Sequence, residues 1–177
     1  EDTVEKEIEN LSLIAKVINK SPLRTVCLMG NHDAFALERE NFYEILGIPS
    51  AEELSFAGRR LIFLDACHFK SGRHYLPGDS DWTDCFLPSE NDFKAKLDCI
   101  TEDTYIFIHQ NIDPAVKSNH RIFNADKIFG FINESGAVKC VFQGHYHPGC
   151  ESEYNGVRYI TLPAMCENEN AFRVYEI

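Results

Sequence analysis

Hydrophobic and polar positions divide the chain into alternating helical and extended stretches. Residues 1–20 place Val4, Ile8, Leu11, Ile14, Val17 and Ile18 on one helical face, and Asp2 followed by Glu5 fits a helix start, so the chain opens on an amphipathic helix. Ser21-Pro22 stops it. The apolar run Thr25-Val26-Cys27-Leu28-Met29 predicts a buried strand, and Gly30 lets the backbone turn tightly straight after it. A helix is expected over residues 34–46, ended by Gly47, then a capped turn at Ser50-Ala51-Glu52-Glu53. Leu54-Ser55-Phe56-Ala57, a Gly58-Arg59 turn and residues 60–65 read as a hairpin. Residues 68–87 show no period and carry Gly72, Pro77 and Gly78; a loop of that length reads as a lid or substrate-side segment.

The second half repeats one unit, a helix followed by a strand. Ser89 and Asp92 open a helix with Phe93, Leu97 and Ile100 inward, before the strand Thr104-Tyr105-Ile106-Phe107-Ile108. After a loop over residues 111–123, a helix over 124–134 with Ile128, Phe131 and Ile132 inward leads, past Gly136, to Val138-Lys139-Cys140-Val141-Phe142-Gln143. Asn155-Gly156 is the strongest short hairpin signal, and residues 171–177 read as a last strand. The order predicts an α/β fold.

Three of these strands end in polar groups. The first is followed by Gly30-Asn31-His32-Asp33, the second by His109, the third by Gly144-His145-Tyr146-His147. Ligands of open α/β sheets gather at the carboxyl ends of the strands, so these side chains are expected to converge on one rim. An amide oxygen, an imidazole and a carboxylate in succession supply a metal ligand, a proton donor and its orienting partner.

Composition changes the picture in three respects. The formal net charge of −11, from 28 acidic and 17 basic residues, argues against an extended nucleic-acid or membrane-surface footprint, and suits a site whose bound cations invert the local field for an anionic substrate. The seven cysteines form no CxxC pair, and Cys27 and Cys140 fall inside predicted strands, which reads as reduced thiols in a cytoplasmic protein. No apolar run approaches membrane-spanning length, so no membrane partner is expected.

GNHD, then a strand-end His, then GHYH resembles the calcineurin-like metallophosphoesterase superfamily, whose pattern is DxH, GDxxD, GNH(D/E), His and GHxH in that order. The resemblance implies an αββα sandwich: two packed mixed β-sheets flanked by helices. It implies Asn31, His109 and His145 as ligands of the second of two metal ions, His147 as a ligand of the first, His32 as proton donor to the leaving oxygen and Asp33 as the group orienting it. Such ligands suit divalent or trivalent Mn, Fe, Zn, Ni or Mg, and two ions about 3.5–4 Å apart would bind a hydroxide for in-line attack on phosphorus. The chain contains no DxH, and its Gly-Asp, Gly78-Asp79, falls between the third and fourth motifs. The resemblance therefore implies the carboxy-terminal part of a single metallophosphoesterase-like domain, residues 1–177, with its first strands and the bridging Asp upstream. The sheet edge or core face so exposed would need cover from another segment or from a second copy of the chain.

The arrangement around GHYHPG, Tyr159-Ile160-Thr161-Leu162 and Ala171-Phe172 resembles cyclic-nucleotide phosphodiesterase and diphosphatase relatives, which implies a small phosphorylated substrate, a nucleotide among the candidates, cleaved at a phosphodiester or diphosphate bond. Gln110 and Asn111 are placed to contact substrate phosphate or to bond the loop backbone, and His68, after a strand and Asp65, to line the cleft. Trp82 reads as loop packing rather than a base platform, and Gly78-Asp79-Ser80-Asp81 as a solvated turn. The missing ligands motivate one rival, a non-catalytic nucleotide- or partner-binding module.

Overall fold

A computed structural model of the chain describes residues 4–79 and 85–176. Helix α1 (Val4–Ile18) is followed by α2 (Asn31–Ala36) and α3 (Arg39–Leu46), then strands β1 (Glu53–Phe56) and β2 (Arg59–Leu64). The remainder is α4 (Glu90–Asp98), β3 (Thr104–Ile108), a 3-10 turn (Ser118–His120), α5 (Ala125–Glu134), β4 (Val138–Gln143), β5 (Cys150–Tyr154) and β6 (Val157–Thr161). All six strands form one mixed sheet in the order β1-β2-β3-β4-β6-β5. The four central strands run parallel and the two edge strands antiparallel to their neighbours. The α/β class expected from the sequence is the class observed, with a single sheet among the described residues where two packed sheets were expected.

The parallel centre follows from its crossovers. Helix α4 joins β2 to β3 and α5 joins β3 to β4, the arrangement that parallel neighbours require. Helix α5 turns Ala125, Ile128 and Ile132 inward, and burying the two isoleucines stabilises the packing by about 1.5–3 kcal/mol each. They meet the sheet face formed by Ile62, Ile106, Val141 and Tyr159, all 1 % exposed or less, where Tyr159 Oη accepts the Asn133 amide N–H at 2.7 Å. On the opposite face Phe63, Phe107 and Phe142 stack in register, with centroids 5.2 and 5.0 Å apart.

Four expectations are corrected. Residues 25–29 take no regular secondary structure and join no ladder among the described residues, with 25–28 half-buried and Met29 buried; the Cys27 carbonyl accepts the Tyr43 hydroxyl instead. A β-branched run signals burial and reach, and a strand also needs a partner edge. The helix expected over 34–46 is two helices, broken where Leu37 is extended (φ −134°, ψ 147°). The last strand expected over 171–177 is absent through residue 176, where Tyr175 packs its ring 5.0 Å from Phe142. In α1 only Leu11 and Ala15 are buried, while Val4, Ile8, Ile14 and Val17 are exposed, because the helix packs on α3 along one narrow stripe. Trp82, Ser80 and Asp81, and the Asp2 helix start, lie outside the described residues. No described helix is long and apolar enough to cross a membrane.

Candidate metal centre

The carboxyl ends of β3 and β4 and the start of α2 meet at one point. Asn31, 2 % exposed, offers its Oδ1 to two imidazoles, His109 Nε2 at 3.0 Å and His145 Nδ1 at 2.9 Å. Since an amide oxygen only accepts, both ring nitrogens carry hydrogen towards it; shifting each proton to the far nitrogen would leave two lone pairs and an amide oxygen facing one cation. That donor set fits an oxygen- and imidazole-preferring ion such as Mn, Fe or Zn.

Local structure holds the three groups there. Asp33 Oδ2 accepts the Gly30 N–H at 2.7 Å and caps α2, which projects Asn31 from its first position. Gly30 also makes room: a Cβ on it would lie 2.9–3.1 Å from the His109 ring, closer than packed atoms allow. His145 sits at φ +62° in a turn closed by Tyr146 N–H to the Gly144 carbonyl at 2.6 Å. A non-glycine residue held at positive φ is strained, and such strain collects at functional sites. Gly144 N–H donates to the His109 carbonyl at 2.9 Å, which ties the two histidine loops together.

Electrostatics keep both rings neutral. Burial, with the nearby positive potential of His145, His32 and His147, depresses His109 to about 3. Burial and the neighbouring His120, His32 and His147 bring His145 to about 4. Neutral imidazoles are the form that binds metal.

The remaining sequence candidates take different places. His32 is exposed on α2. His147 is exposed and its Nδ1 pairs with Glu167 Oε1 at 2.8 Å, so it stands at the rim, outside the Asn31 cluster. With Cys166 and Glu167 it forms a group whose ligand atoms lie within 4.8 Å of one another. Of the two roles expected for Asn111 and Gln110, a substrate contact or a bond within the loops, both side chains take up bonds within the frame and are buried. Asn111 donates to the Gly144 carbonyl and accepts from Thr161 Oγ1 at 2.7 Å, and the Gln110 amide N–H reaches Cys67 Sγ at 3.3 Å. Both short polar side chains sit where two rim loops need cross-links, which the sequence alone does not distinguish from a substrate contact. His68 lines a cavity of about 600 Å³ with Arg39, Asp65 and His74. Asp65 and His74 carried no motif, and their pairing spans an irregular loop.

The fold is similar to one already solved. The crystal structure of a dimetal phosphatase from Danio rerio superposes with a TM-score of 0.71 at 17 % identity, covering 90 % of this chain and 67 % of that one. GAP50 of Plasmodium, an anchor in the inner membrane complex, matches with a TM-score of 0.39 at 17 % identity, over 62 % of this chain and 34 % of its own. No protein-family model matches the chain, and no curated protein matches it in sequence.

Proposed function

We propose that the protein is a metal-dependent phosphoesterase that hydrolyses phosphodiester or nucleoside-diphosphate bonds in small phosphorylated molecules. The carrying observation is the convergence of Asn31 Oδ1, His109 Nε2 and His145 Nδ1 on one point at the carboxyl rim of the sheet. The Danio rerio neighbour, a dimetal phosphatase, supports the class through the fold.

In this reading two ions are used, one held by Asn31, His109 and His145 and one to which His147 contributes. Bound there, they supply Lewis-acid stabilisation of charge on the phosphoryl oxygens. The chain's own residues do the rest. Gly30 and the α2 cap fix Asn31, the strained His145 turn aims its Nδ1, and His32, exposed on the first turn of α2, delivers a proton to the leaving oxygen.

One observation favours a second reading, a non-catalytic binding module. Among the described residues no carboxylate or further imidazole joins His109 and His145 in a group of three ligand atoms. Hydrolysis of bis(p-nitrophenyl) phosphate with added Mn separates the two. The enzyme reading expects metal-dependent turnover that falls by about 10²–10⁴ in His32→Ala. Absence of turnover in the presence of metal favours the binding module, and turnover that ignores metal or that His32→Ala leaves intact overturns the proposed mechanism.

A further inference from the structure

A second constellation of metal-type ligands stands beside the first. Leu64, the last residue of β2, pairs with Ile108 of β3, so Asp65 and His109 leave neighbouring parallel strands at the same level. Around Asp65 the loop after β2 folds back in isolated bridges, Cys67 and His68 with Phe86 and His68 with His74, and the two imidazole rings stand edge to face at 4.8 Å. The ligand atoms of Asp65, His68 and His74 all lie within 4.8 Å of one another.

The hydrogen bonds show what each atom is free to do. His74 Nδ1 lies 2.8 Å from the Tyr75 carbonyl, which can only accept, so Nδ1 carries the hydrogen. The other nitrogen, Nε2, faces Asp65 Oδ2 at 3.2 Å, lone pair to carboxylate unless a proton or a metal ion lies between them. An imidazole N–H anchored on a backbone carbonyl is a usual outer support of a metal-ligating histidine. His68 Nδ1 lies 3.9 Å from Asp65 Oδ1, is shut from solvent, and has no hydrogen-bond partner among the described residues.

The carboxylate has the capacity for this. Its four lone-pair sites receive Arg39 Nε on Oδ2 at 3.1 Å and the Cys67 N–H on Oδ1 at 2.9 Å, and the two that remain are on the side of the histidines. Arg39, held over the Tyr43 ring at 5.3 Å, and the Cys67 amide therefore orient the carboxylate without filling it. Zinc bonds of about 2.0–2.1 Å to nitrogen and oxygen put tetrahedral ligand atoms about 3.3 Å apart, close to the 3.2 Å between His74 Nε2 and Asp65 Oδ2.

We propose that Asp65, His68 and His74 form a divalent-cation site, for zinc or a similar borderline ion, separate from the Asn31–His109–His145 centre. All three side chains are about one-fifth exposed, and they line the cavity of about 600 Å³, so an ion can enter and keep positions open towards it. The site goes beyond the phosphoesterase reading and does not depend on it.

Zinc is the probe. The parent chain and a His68→Gln/His74→Gln double variant are equilibrated with zinc, desalted and counted by plasma mass spectrometry, both in the parent background and in Asn31→Ala. The variant is expected to lose about one zinc per chain in both backgrounds. Equal counts with and without the two imidazoles overturn the proposal, as does zinc lost on Asn31→Ala alone. Because the double variant can misfold, zinc-edge anomalous maps from crystals of the parent give a second readout. A peak within bonding distance of the three residues is the expected result. A map without one means that a doubly protonated His74 ion-paired with Asp65 accounts for the geometry.

Discussion

At the scale of single residues the centre rests on Gly30 as much as on its ligands. A methyl group there meets Cε1, Nε2 and Nδ1 of His109 at 2.9–3.1 Å, so Gly30→Ala must rotate the ring away from Asn31 or shift the start of α2. Displacing a ligand's support costs about 10–100-fold in metal affinity, and Gly30→Ala is expected to weaken manganese or zinc binding in that range, read by competition with a chromophoric chelator. Helical content by circular dichroism should stay at the parent level, because the backbone at Gly30 is ordinary extended chain at φ −95° that alanine adopts. An unchanged affinity would mean that His109 can swing without leaving the ion. The meeting of Asn31, His109 and His145 is legible because each stands at or within three residues of the end of an apolar run. Asp65 with His74 is not, since nine positions of irregular loop separate them and the loop's return, not any spacing, joins them.

At the scale of elements, the patterns that carried their own partners were the legible ones. The hairpin at Asn155-Gly156 and the helices before β3 and β4 contain both the turn chemistry and the inward face they need. The extended run at 25–29 and the end of the chain did not, because a strand is completed by an edge that local sequence cannot specify. The β1–β2 hairpin turns at Ala57-Gly58, both at positive φ (50° and 75°), one residue before the expected turn. It is pinned to α4 by Glu53, whose carboxylate meets Lys96 Nζ and Arg60 Nη1 at 2.6 Å each. Lys96 first, against the opposing effect of burial, and then Arg60 hold Glu53 below its ordinary value of 4.5. A lowered carboxylate contributes stability above its unfolded pKa and loses it as pH falls through the folded one. Glu53→Gln is thus expected to lower the urea midpoint at pH 7 by the equivalent of about 0.5–1 kcal/mol, with the gap closing as pH falls below the usual carboxylate range. A gap that persists in acid would assign the effect to packing of the edge strand.

At the scale of the whole molecule, the rim is where distant parts of the chain are held together. Asn31 is 78 residues from His109 and 114 from His145, and the three meet only in the folded state. An ion bound by all three therefore has little affinity for the unfolded chain, and its binding free energy adds to folding stability. A cation also offsets part of the self-repulsion of a chain with net charge −11. At a free metal concentration of 100 times Kd the gain is about 2.7 kcal/mol, which for a chain of this length corresponds to roughly 5–10 °C in Tm. Chelation with EDTA is expected to lower Tm by that amount, manganese to restore it, and Asn31→Ala to lose most of the response while unfolding in one transition. Zinc should leave Asn31→Ala a residual shift, because Asp65, His68 and His74 all lie in the loop after β2 and close a much shorter stretch of chain. A Tm indifferent to both chelator and metal would mean that hydrogen bonds to Asn31 alone hold the rim histidines, and that the convergence is structural.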